Sequence, residues 1–302
     1  GLSSNNALQK VKWLLRAEKA GHTGTLDPLA TGVLPLCFGA ATKFSGLQLD
    51  APKTYEAIAL LGVTTTTGDA EGEVLQRCTV DEAALTPQRL AQVAQQFTGA
   101  IRQVPPMHSA LKKDGKALYE YARAGVEVER PARDVFISAL NLALTHTEQA
   151  QAAIKIRVTC SKGTYIRTLG EDIGQALGCG AHLVFLRRVE TGGLGLEGCV
   201  TLAQLEACDD AQRLAWVQPV QTLLAGHTVI TLAEEDAGRF LSGVRRRGPW
   251  PDAAAVAVYG AHPRALLGVG HVVQGELIAD RLLSPLEIQQ ILQGAPRAIT
   301  PV

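Results

Sequence analysis

One carboxylate, Asp27, stands in the apolar, glycine-rich segment GHTGTLDPLATGVLPL, which covers residues 21–36. Asp-Pro is a common turn dipeptide, so residue type alone favours a turn aspartate. The other interpretation is a carboxylate nucleophile, which requires a fixed position, a cationic partner and an apolar surrounding. The apolar surrounding can come from neighbouring side chains, namely Leu26, Leu29, Val33 and Leu34. Both interpretations stay open on residue types alone.

The cation for such a nucleophile has a candidate far along the chain, at Arg167. It lies near the start of a predicted helix, the end of a helix that favours anions. A guanidinium can hold a carboxylate through two parallel hydrogen bonds. An exposed helix arginine is the alternative interpretation of Arg167.

Three segments must position these residues. TYEAIALLGV (54–63) is apolar on both faces, which is typical of an interior strand. AIKIRVTCS (153–161) alternates and predicts a half-buried strand. We expect Thr164 to cap the following helix and Gly178 to end it.

Strands and helices intermingle without a regular βαβ rhythm, which indicates an α+β fold with a mixed sheet and flanking helices. After about residue 228 a short helix, LAEEDAGRFLSG, precedes short strands with a turn at Gln274–Gly275. We therefore expect one domain over residues 1–228 and a small β-rich domain over residues 229–302.

Composition sets the broad class. The 302 residues are 46% hydrophobic and 19% charged, enough to bury a core in two domains. No apolar run of about 18 residues and no leader pattern is found, so we expect a cytoplasmic protein without membrane contact. The six cysteines form no CxxC pair and no zinc spacing, so we expect reduced thiols and no metal.

The distribution of charge bears on nucleic-acid binding. The net charge is zero, which argues mildly against a phosphate-rich partner. The basic residues nevertheless gather in four clusters, at Lys10, Lys12, Arg16 and Lys19; at Lys112, Lys113 and Lys116; at Arg187 and Arg188; and at Arg245, Arg246 and Arg247. Each cluster alone is typical of a solvated face, but together they allow a phosphate-contacting surface.

Two glycine-rich segments carry no nucleotide motif. GHTGTLDPLATG lacks the Gly-Lys-Ser/Thr ending of a P-loop, and GVGHVVQG opens no helix, as a dinucleotide fingerprint would. We therefore expect no cofactor.

Four segments in order make the chain similar to the tRNA pseudouridine synthases of the TruB type, over roughly residues 1–228. They are GHTGTLDPLATGVLPL, KTYEAIALLG, SKGTYIRTLGEDIG and GCGAHLVFLRR. In addition, PPMHSALKKDGKALYEYARAG, at about 105–125, resembles the RNA-clasping thumb of that family. The tail resembles a PUA-type RNA-binding module more weakly.

The resemblance implies a reaction and a set of residues. Such enzymes isomerise uridine 55 of the tRNA T-loop without metal or cofactor, by flipping out the base, and here as a monomer that binds the T-arm. Carried over by motif, Asp27 is the catalytic aspartate, Arg167 its partner and Tyr55 the residue that stacks on the base and is placed for proton transfer. The substrate-binding positions are His22, Lys43, Tyr165 and Leu186. Asp69 also matches a family position near the site.

The chain departs from the family pattern at two places. It opens at Gly1-Leu2-Ser3-Ser4, without the Lys-Pro segment that the family carries there, which puts RNA affinity or edge stability in question. His108 stands where the family leads us to expect tyrosine.

Three other functions stay open. The first is a guide-RNA-dependent pseudouridine synthase, against which the thumb-like segment argues. The second is a catalytically silent RNA-binding or RNA-folding protein, which would not need the Asp–Arg–Tyr set. The third is a hydrolase or phosphotransferase with an aspartyl nucleophile, which would need a metal or phosphate loop that the sequence lacks.

Overall fold

The computed structural model describes residues 1–293. Its α-helices are α1 (Ser4–Leu14), α2 (Ser45–Asp50), α3 (Pro87–Gln96), α4 (Leu118–Arg123), α5 (Ile166–Ala176), α6 (Leu202–Ala207), α7 (Asp210–Ala215), α8 (Glu234–Leu241) and α9 (Pro285–Leu292). Short 3-10 helices cover Gly39–Phe44, Glu82–Ala84, Leu196–Gly198 and Val220–Leu224.

The strands fall into two groups along the chain. The first group is β1 (Ala20–His22), β2 (Thr31–Gly32), β3 (Leu36–Phe38), β4 (Lys53–Leu61), β5 (Val63–Thr65), β6 (Val74–Arg77), β7 (Gly99–Gln103), β8 (Lys112–Lys113), β9 (Lys116–Ala117), β10 (Arg133–His146), β11 (Ala152–Cys160), β12 (Ala181–Thr191) and β13 (Leu194–Gly195). The second group is β14 (Thr228–Leu232), β15 (Arg246–Arg247), β16 (Ala253–Gly260), β17 (Ala265–Val273) and β18 (Glu276–Leu282).

The chain divides into two compact units. The first unit holds Gly1, Leu26–Val33 and Asp50–Cys199; the second holds Leu2–Thr25, Leu34–Leu49 and the chain from Val200 onward. The segment 21–36 therefore contributes residues to both units. The boundary expected after residue 228 stays a prediction about sequence domains.

A mixed sheet forms the centre of the first unit. Its strand order is β13-β12-β4-β11-β10-β7, with antiparallel neighbours, and β2 adds a short parallel pairing to β12. β4 lies between β12 and β11, so the interior strand predicted from TYEAIALLGV is confirmed. The half-buried strand is confirmed as well, since the alternate residues of β11 from Ile154 to Cys160 are buried.

The core of the first unit lies where α5 packs against this sheet. Leu169 and Ile173 of α5 are fully buried, together with Ile154 and Ile156 of β11. Burying each of these side chains contributes roughly 1.5–3 kcal/mol relative to leaving it in water. This packing fixes the first turn of α5 relative to the strands.

The start of α5 lies one residue later than the sequence predicted. Tyr165, not Thr164, occupies the N-cap position, and no side chain caps the helix there. The hydroxyl of Thr164 instead donates to the carbonyl of Ser161 at 2.9 Å, inside the turn that follows β11. The hydroxyl of Thr164 is used in the turn instead of capping α5, because a threonine hydroxyl readily forms hydrogen bonds with nearby backbone groups.

The second unit contains the β-rich part of the chain. Its five-stranded sheet has the order β14-β16-β17-β18-β15, and Phe240 of α8 is fully buried in the core beneath it. Gln274 and Gly275, both at positive φ, join β17 to β18, as the sequence predicted. No helix within residues 1–293 has the length and apolar character needed to cross a bilayer.

Candidate active site

The carboxylate of Asp27 and the guanidinium of Arg167 form a two-pronged ion pair in the first unit. Nε of Arg167 donates to Oδ2 at 2.8 Å and Nη2 donates to Oδ1 at 3.1 Å. Two parallel bonds fix both the position and the plane of the carboxylate. The residues are 140 apart in sequence, so the fold alone brings them together.

Arg167 is held by more than this one partner. Its Nη1 donates to the carbonyl of Thr67 at 3.0 Å, and its Nη2 donates to the carbonyl of His108 at 2.7 Å. The arginine side chain is 4% exposed, whereas that of Asp27 is 35% exposed. The guanidinium is therefore a buried anchor, and the carboxylate keeps one side open to a reactant.

A second carboxylate, Asp69, also lies near the guanidinium. Its Oδ2 is 3.7 Å from Nε of Arg167. Its Oδ1 accepts bonds from the hydroxyl of Thr67 at 2.5 Å and from the backbone N–H of Glu71 at 3.1 Å. Asp69 is buried, and the hydrogen bonds that its carboxylate accepts come from its own loop. It therefore supports Arg167 and is not open to a substrate.

Backbone pairing with β12 fixes the loop that carries Asp27. The N–H of Val33 donates to the carbonyl of Arg188 at 2.8 Å, and Gly32 pairs with Arg188 in the parallel β2–β12 contact. Gly32 has φ +101°, and a Cβ there would lie 2.0 Å from that carbonyl oxygen. Only glycine fits this approach, so the glycine of the Ala-Thr-Gly triplet is a structural requirement of the loop.

Arg188 joins this loop to Tyr55. Its side chain is buried, and its Nε donates to the carbonyl of Val33 at 2.7 Å. Arg188 also lies opposite Tyr55 in the register of β12 and β4. Burial raises the pKa of Tyr55, and the Asp27 carboxylate raises it further, while the charge of Arg188 and its hydrogen bond to the phenol act in the opposite direction. The charges of a carboxylate and of a guanidinium thus both act on Tyr55.

Tyr165 is fixed by its backbone at the start of α5. The side-chain amide of Gln103 accepts from the N–H of Tyr165 at 3.0 Å and donates to its carbonyl at 3.4 Å. Burial raises the pKa of the Tyr165 hydroxyl, and the Asp27 carboxylate raises it further. The charge of Asp27 therefore acts on both tyrosine hydroxyls.

Leu186 supplies an apolar wall. It lies on β12 in the same core cluster as Tyr55, and Leu26 and Leu29 from the Asp27 loop pack against that cluster. Leu26 and Leu29 thus place apolar side chains on either side of Asp27 along the chain, while the Asp27 side chain itself is 35% exposed. The arrangement suits a reaction in which an oriented carboxylate meets an uncharged reactant with water kept away.

Two family models match consecutive parts of the chain. Residues 12–166 match the N-terminal domain of the TruB family pseudouridylate synthases, and residues 167–225 match the tRNA pseudouridylate synthase B C-terminal domain. The chain belongs to the TruB family. The resemblance found in the sequence is thereby confirmed, as is the α+β class with a mixed sheet and a β-rich C-terminal part.

Curated relatives in the TruB family are similar over almost the whole chain. A tRNA pseudouridine synthase B from Verminephrobacter eiseniae (strain EF01-2) is 70% identical over 98% of this chain and 89% of the relative. One from Ralstonia nicotianae (strain ATCC BAA-1114 / GMI1000) is 56% identical over 94% of this chain and 91% of the relative.

Solved structures share the fold. A Cbf5–Nop10–Gar1 complex matches with a TM-score of 0.68 at 24% identity, over 94% of this chain and 81% of the matched chain. An H/ACA RNP bound to a substrate RNA containing 2′-deoxyuridine matches with a TM-score of 0.66 at 21% identity, over 94% of this chain and 82% of the matched chain. At these identities the likeness concerns the fold alone.

The TruB resemblance also implied substrate contacts for His22 and Lys43, which belong to the second unit. His22 ends β1, which pairs with β3. The ammonium of Lys43 lies 2.6 Å from Oε2 of Glu287 and donates to the carbonyl of Leu282 at 3.1 Å. Their roles in substrate binding stay predictions, whereas Asp27, Tyr55, Arg167, Tyr165 and Leu186 all lie in the first unit.

The prediction that the basic clusters form a phosphate-contacting surface is wrong for Arg188. That side chain is 1% exposed and its Nε is used on the Val33 carbonyl, so it is not a surface cation. Arg188 is buried because its position on β12 faces inward, although a charged side chain is normally expected at the surface. The lysines at 112, 113 and 116 are exposed on the β8–β9 hairpin, as a phosphate-contacting surface requires.

Several residues that build the site had not been found from the sequence. The acceptors from Thr67 and His108 are main-chain carbonyls, which any residue type supplies. The departure from the family at His108 therefore leaves the Arg167 contact unaffected. Arg188 had a usable signal, since a charged residue at an inward position of a strand requires a buried partner.

Proposed function

We propose that this chain converts uridine 55 in the T-loop of tRNA to pseudouridine, acting on the T-arm as a cytoplasmic monomer without metal or cofactor. The observation that carries the proposal is the paired Asp27 carboxylate, oriented by a buried arginine and open on one side. The names of the curated relatives agree with tRNA as the substrate.

The reaction exchanges one glycosidic bond for another. The N1–C1′ bond breaks, the uracil turns, a C5–C1′ bond forms, and the proton on C5 leaves while N1 gains one. The Asp27 carboxylate can attack C6, attack C1′, or assist removal of the C2′ proton. Arg167 fixes the carboxylate for each of these routes, because its bonds leave the open side of Asp27 free for the nucleoside.

Tyr55 has two proposed roles. Its ring stacks on the extruded base, which offsets part of the few kcal/mol that flipping costs. Its hydroxyl then takes part in removing the proton from C5. Burial raises the pKa of Tyr55 and works against formation of the phenolate, while the Arg188 guanidinium offsets part of this effect.

Water must be kept from the cleaved nucleoside, because hydrolysis would leave an abasic site. The apolar wall at Leu186 and Leu26 serves this purpose, and the ring of Tyr165 is proposed to complete it. His22 is proposed to fill the space that the flipped base leaves. Lys43 is proposed to contact RNA, which requires it to exchange the Glu287 carboxylate for a phosphate.

We assign catalysis to residues 1–228 and RNA binding to a PUA-like domain at 229–302, of which the structure describes residues up to 293. The thumb-like segment at about 105–125 contains the β8–β9 hairpin and α4. Nζ of Lys116 lies 4.8 Å from the centre of the Tyr121 ring, a contact that links β9 to α4. A basic, exposed hairpin is suited to contact the backbone of the T-arm.

The direct test uses the purified protein and an unmodified T-arm stem-loop, with no guide RNA. Pseudouridine mapping along the strand should find the product at the position of uridine 55 and at no other uridine. A requirement for a guide RNA would support the guide-dependent branch instead. Binding without product would support a silent RNA-binding protein.

The first variant to compare is Asp27→Ala. We expect turnover to fall to background, because no other carboxylate with an open side adjoins Arg167 within the part of the chain that the structure describes. The dissociation constant for tRNA should stay within about threefold, since Asp27 contributes to chemistry and not to phosphate binding. A variant that still makes pseudouridine would remove Asp27 from the mechanism.

A further inference from the structure

A third acidic side chain, Glu171, lies beside the Asp27–Arg167–Asp69 group. Glu171 follows Arg167 by four residues on α5, so the two side chains share one face of the helix. Its carboxylate packs against Gly68, where a Cβ would meet the carboxylate carbon at 2.9 Å and both oxygens at 3.0 Å. The proposed mechanism gives this residue no role.

Gly68 lies at the centre of the loop that supplies two of the partners of Arg167. Thr67 before it presents the carbonyl that accepts from Nη1, and Asp69 after it presents the second carboxylate. Gly68 itself has φ +71°, and its carbonyl accepts from the N–H of Leu183 at 2.9 Å. The loop is thus held between β12 on one side and the Glu171 carboxylate on the other.

We propose that Glu171 is a positioning residue, which braces the Gly68 turn against α5 and, through its charge, tunes how firmly Arg167 holds Asp27. The inference rests on the function proposed above. An ionised Glu171 attracts the Arg167 guanidinium, in competition with Asp27, and repels the Asp69 carboxylate. A protonated Glu171 does neither.

The charge of Glu171 changes in the neutral range. Burial raises its pKa to about 7, and the neighbouring carboxylates of Asp172 and Asp69 also raise it, while Arg167 lowers it. The group is protonated below this pH and ionised above it. The hold on Asp27 therefore differs between the two sides of neutrality.

The pH profile of kcat tests this role, with Glu171→Gln as the main variant. We expect the wild-type profile to contain a step near pH 7, and Glu171→Gln, which is always neutral, to follow the low-pH limb at every pH. Glu171→Asp should keep the step. A Glu171→Gln profile with the wild-type step would overturn the proposal, and so would a wild-type profile without a step.

Asp172→Asn is the matched control, because it removes the adjacent carboxylate on the same helix. It should keep the step and move it to lower pH, since Asp172 raises the pKa of Glu171. Affinity for tRNA should change by less than about twofold in all three variants. If the wild type makes no pseudouridine, the proposed function fails; an active wild type whose profile ignores Glu171 refutes only this inference.

A double-mutant cycle tests the contact itself. Gly68→Ala should slow turnover, because the new methyl group meets the Glu171 carboxylate and the backbone is strained at positive φ. Adding Glu171→Asp withdraws the carboxylate and should restore part of the rate, and the cycle cancels the backbone strain. Additive effects of the two changes would show that the contact does not position the loop.

Discussion

At the scale of single residues, the site is built on an asymmetry between its two charges. Arg167 is almost fully buried and has fixed acceptors from three parts of the chain, whereas Asp27 has an open side. A buried guanidinium is tolerated here because each of its three nitrogens donates to an acceptor. Chemistry is thereby assigned to the carboxylate, and positioning to the arginine.

Tyr55→Phe tests the proposed proton transfer. Phenylalanine keeps the ring but loses the hydroxyl beside Arg188, so stacking should persist while proton removal from C5 slows. We expect kcat to fall by about 100-fold or more, with a tRNA affinity close to that of the wild type. A substrate deuterated at C5 should show an isotope effect in the variant, and a wild-type rate would clear Tyr55 of this role.

At the scale of elements, β12 connects the parts of the site. It carries Leu186 and pairs with β4, the strand that contains Tyr55. Through Arg188 it also fixes the loop of Asp27. The β-sheet register decides that Arg188 faces inward at Tyr55. A slip of one residue would turn Arg187 inward instead and leave the Val33 carbonyl without its donor.

Arg188→Met tests this connection, with Arg187→Met as the matched control at an exposed neighbouring position. Methionine keeps much of the length but removes the donor to Val33, and an unsatisfied buried acceptor costs about 1–3 kcal/mol. We expect urea unfolding to show a loss of that order and kcat to fall as well. Arg187→Met should change the free energy of unfolding by less than about 0.5 kcal/mol. Equal effects of the two changes would contradict the assignment.

At the scale of the whole molecule, the net charge is zero, and some of the clustered basic residues already form ion pairs with carboxylates. Arg245 and Arg247 in the second unit both contact Glu276, and Arg246 contacts Asp236. The hydrogen bonds from Arg247 and Arg245 lower the pKa of the Glu276 carboxyl. Any phosphate that reaches these arginines competes with these carboxylates, which limits the gain from each contact.

Replacing Arg245, Arg246 and Arg247 together by glutamine tests whether the second unit contacts tRNA phosphates. Each lost phosphate contact reduces the slope of log K against log salt by about 0.7–0.9. We expect a reduction of about 1–2, less than three full contacts, because the carboxylates compete. Arg239→Gln, which removes the arginine paired with Glu235 on α8, is the control. An unchanged slope in the triple variant would show that these arginines do not touch RNA.

The sequence by itself determined the strand that carries Tyr55, the alternating strand β11, the hairpin turn at Gln274–Gly275 and the family. These features are set by local periodicity, by turn residues and by motifs that lie contiguously in the chain. Asp27 and Arg167 were candidates, but residue type alone favoured a turn aspartate and an exposed arginine. Local pattern contains no information about which distant residues meet.

The family resemblance implied that Asp27 and Arg167 pair, and the tertiary structure shows that contact. Only the tertiary structure decided that Arg188 is buried against Val33 and opposite Tyr55, and that Glu171 packs on Gly68. These contacts follow from strand register and from the packing of α5 on the sheet, which bring together residues up to 155 positions apart. Main-chain acceptors such as the carbonyls of Thr67 and His108 are invisible to residue type, because every residue has one. Charge alone predicted that Arg188 lies at the surface, but the side chain is buried and its Nε donates to the carbonyl of Val33.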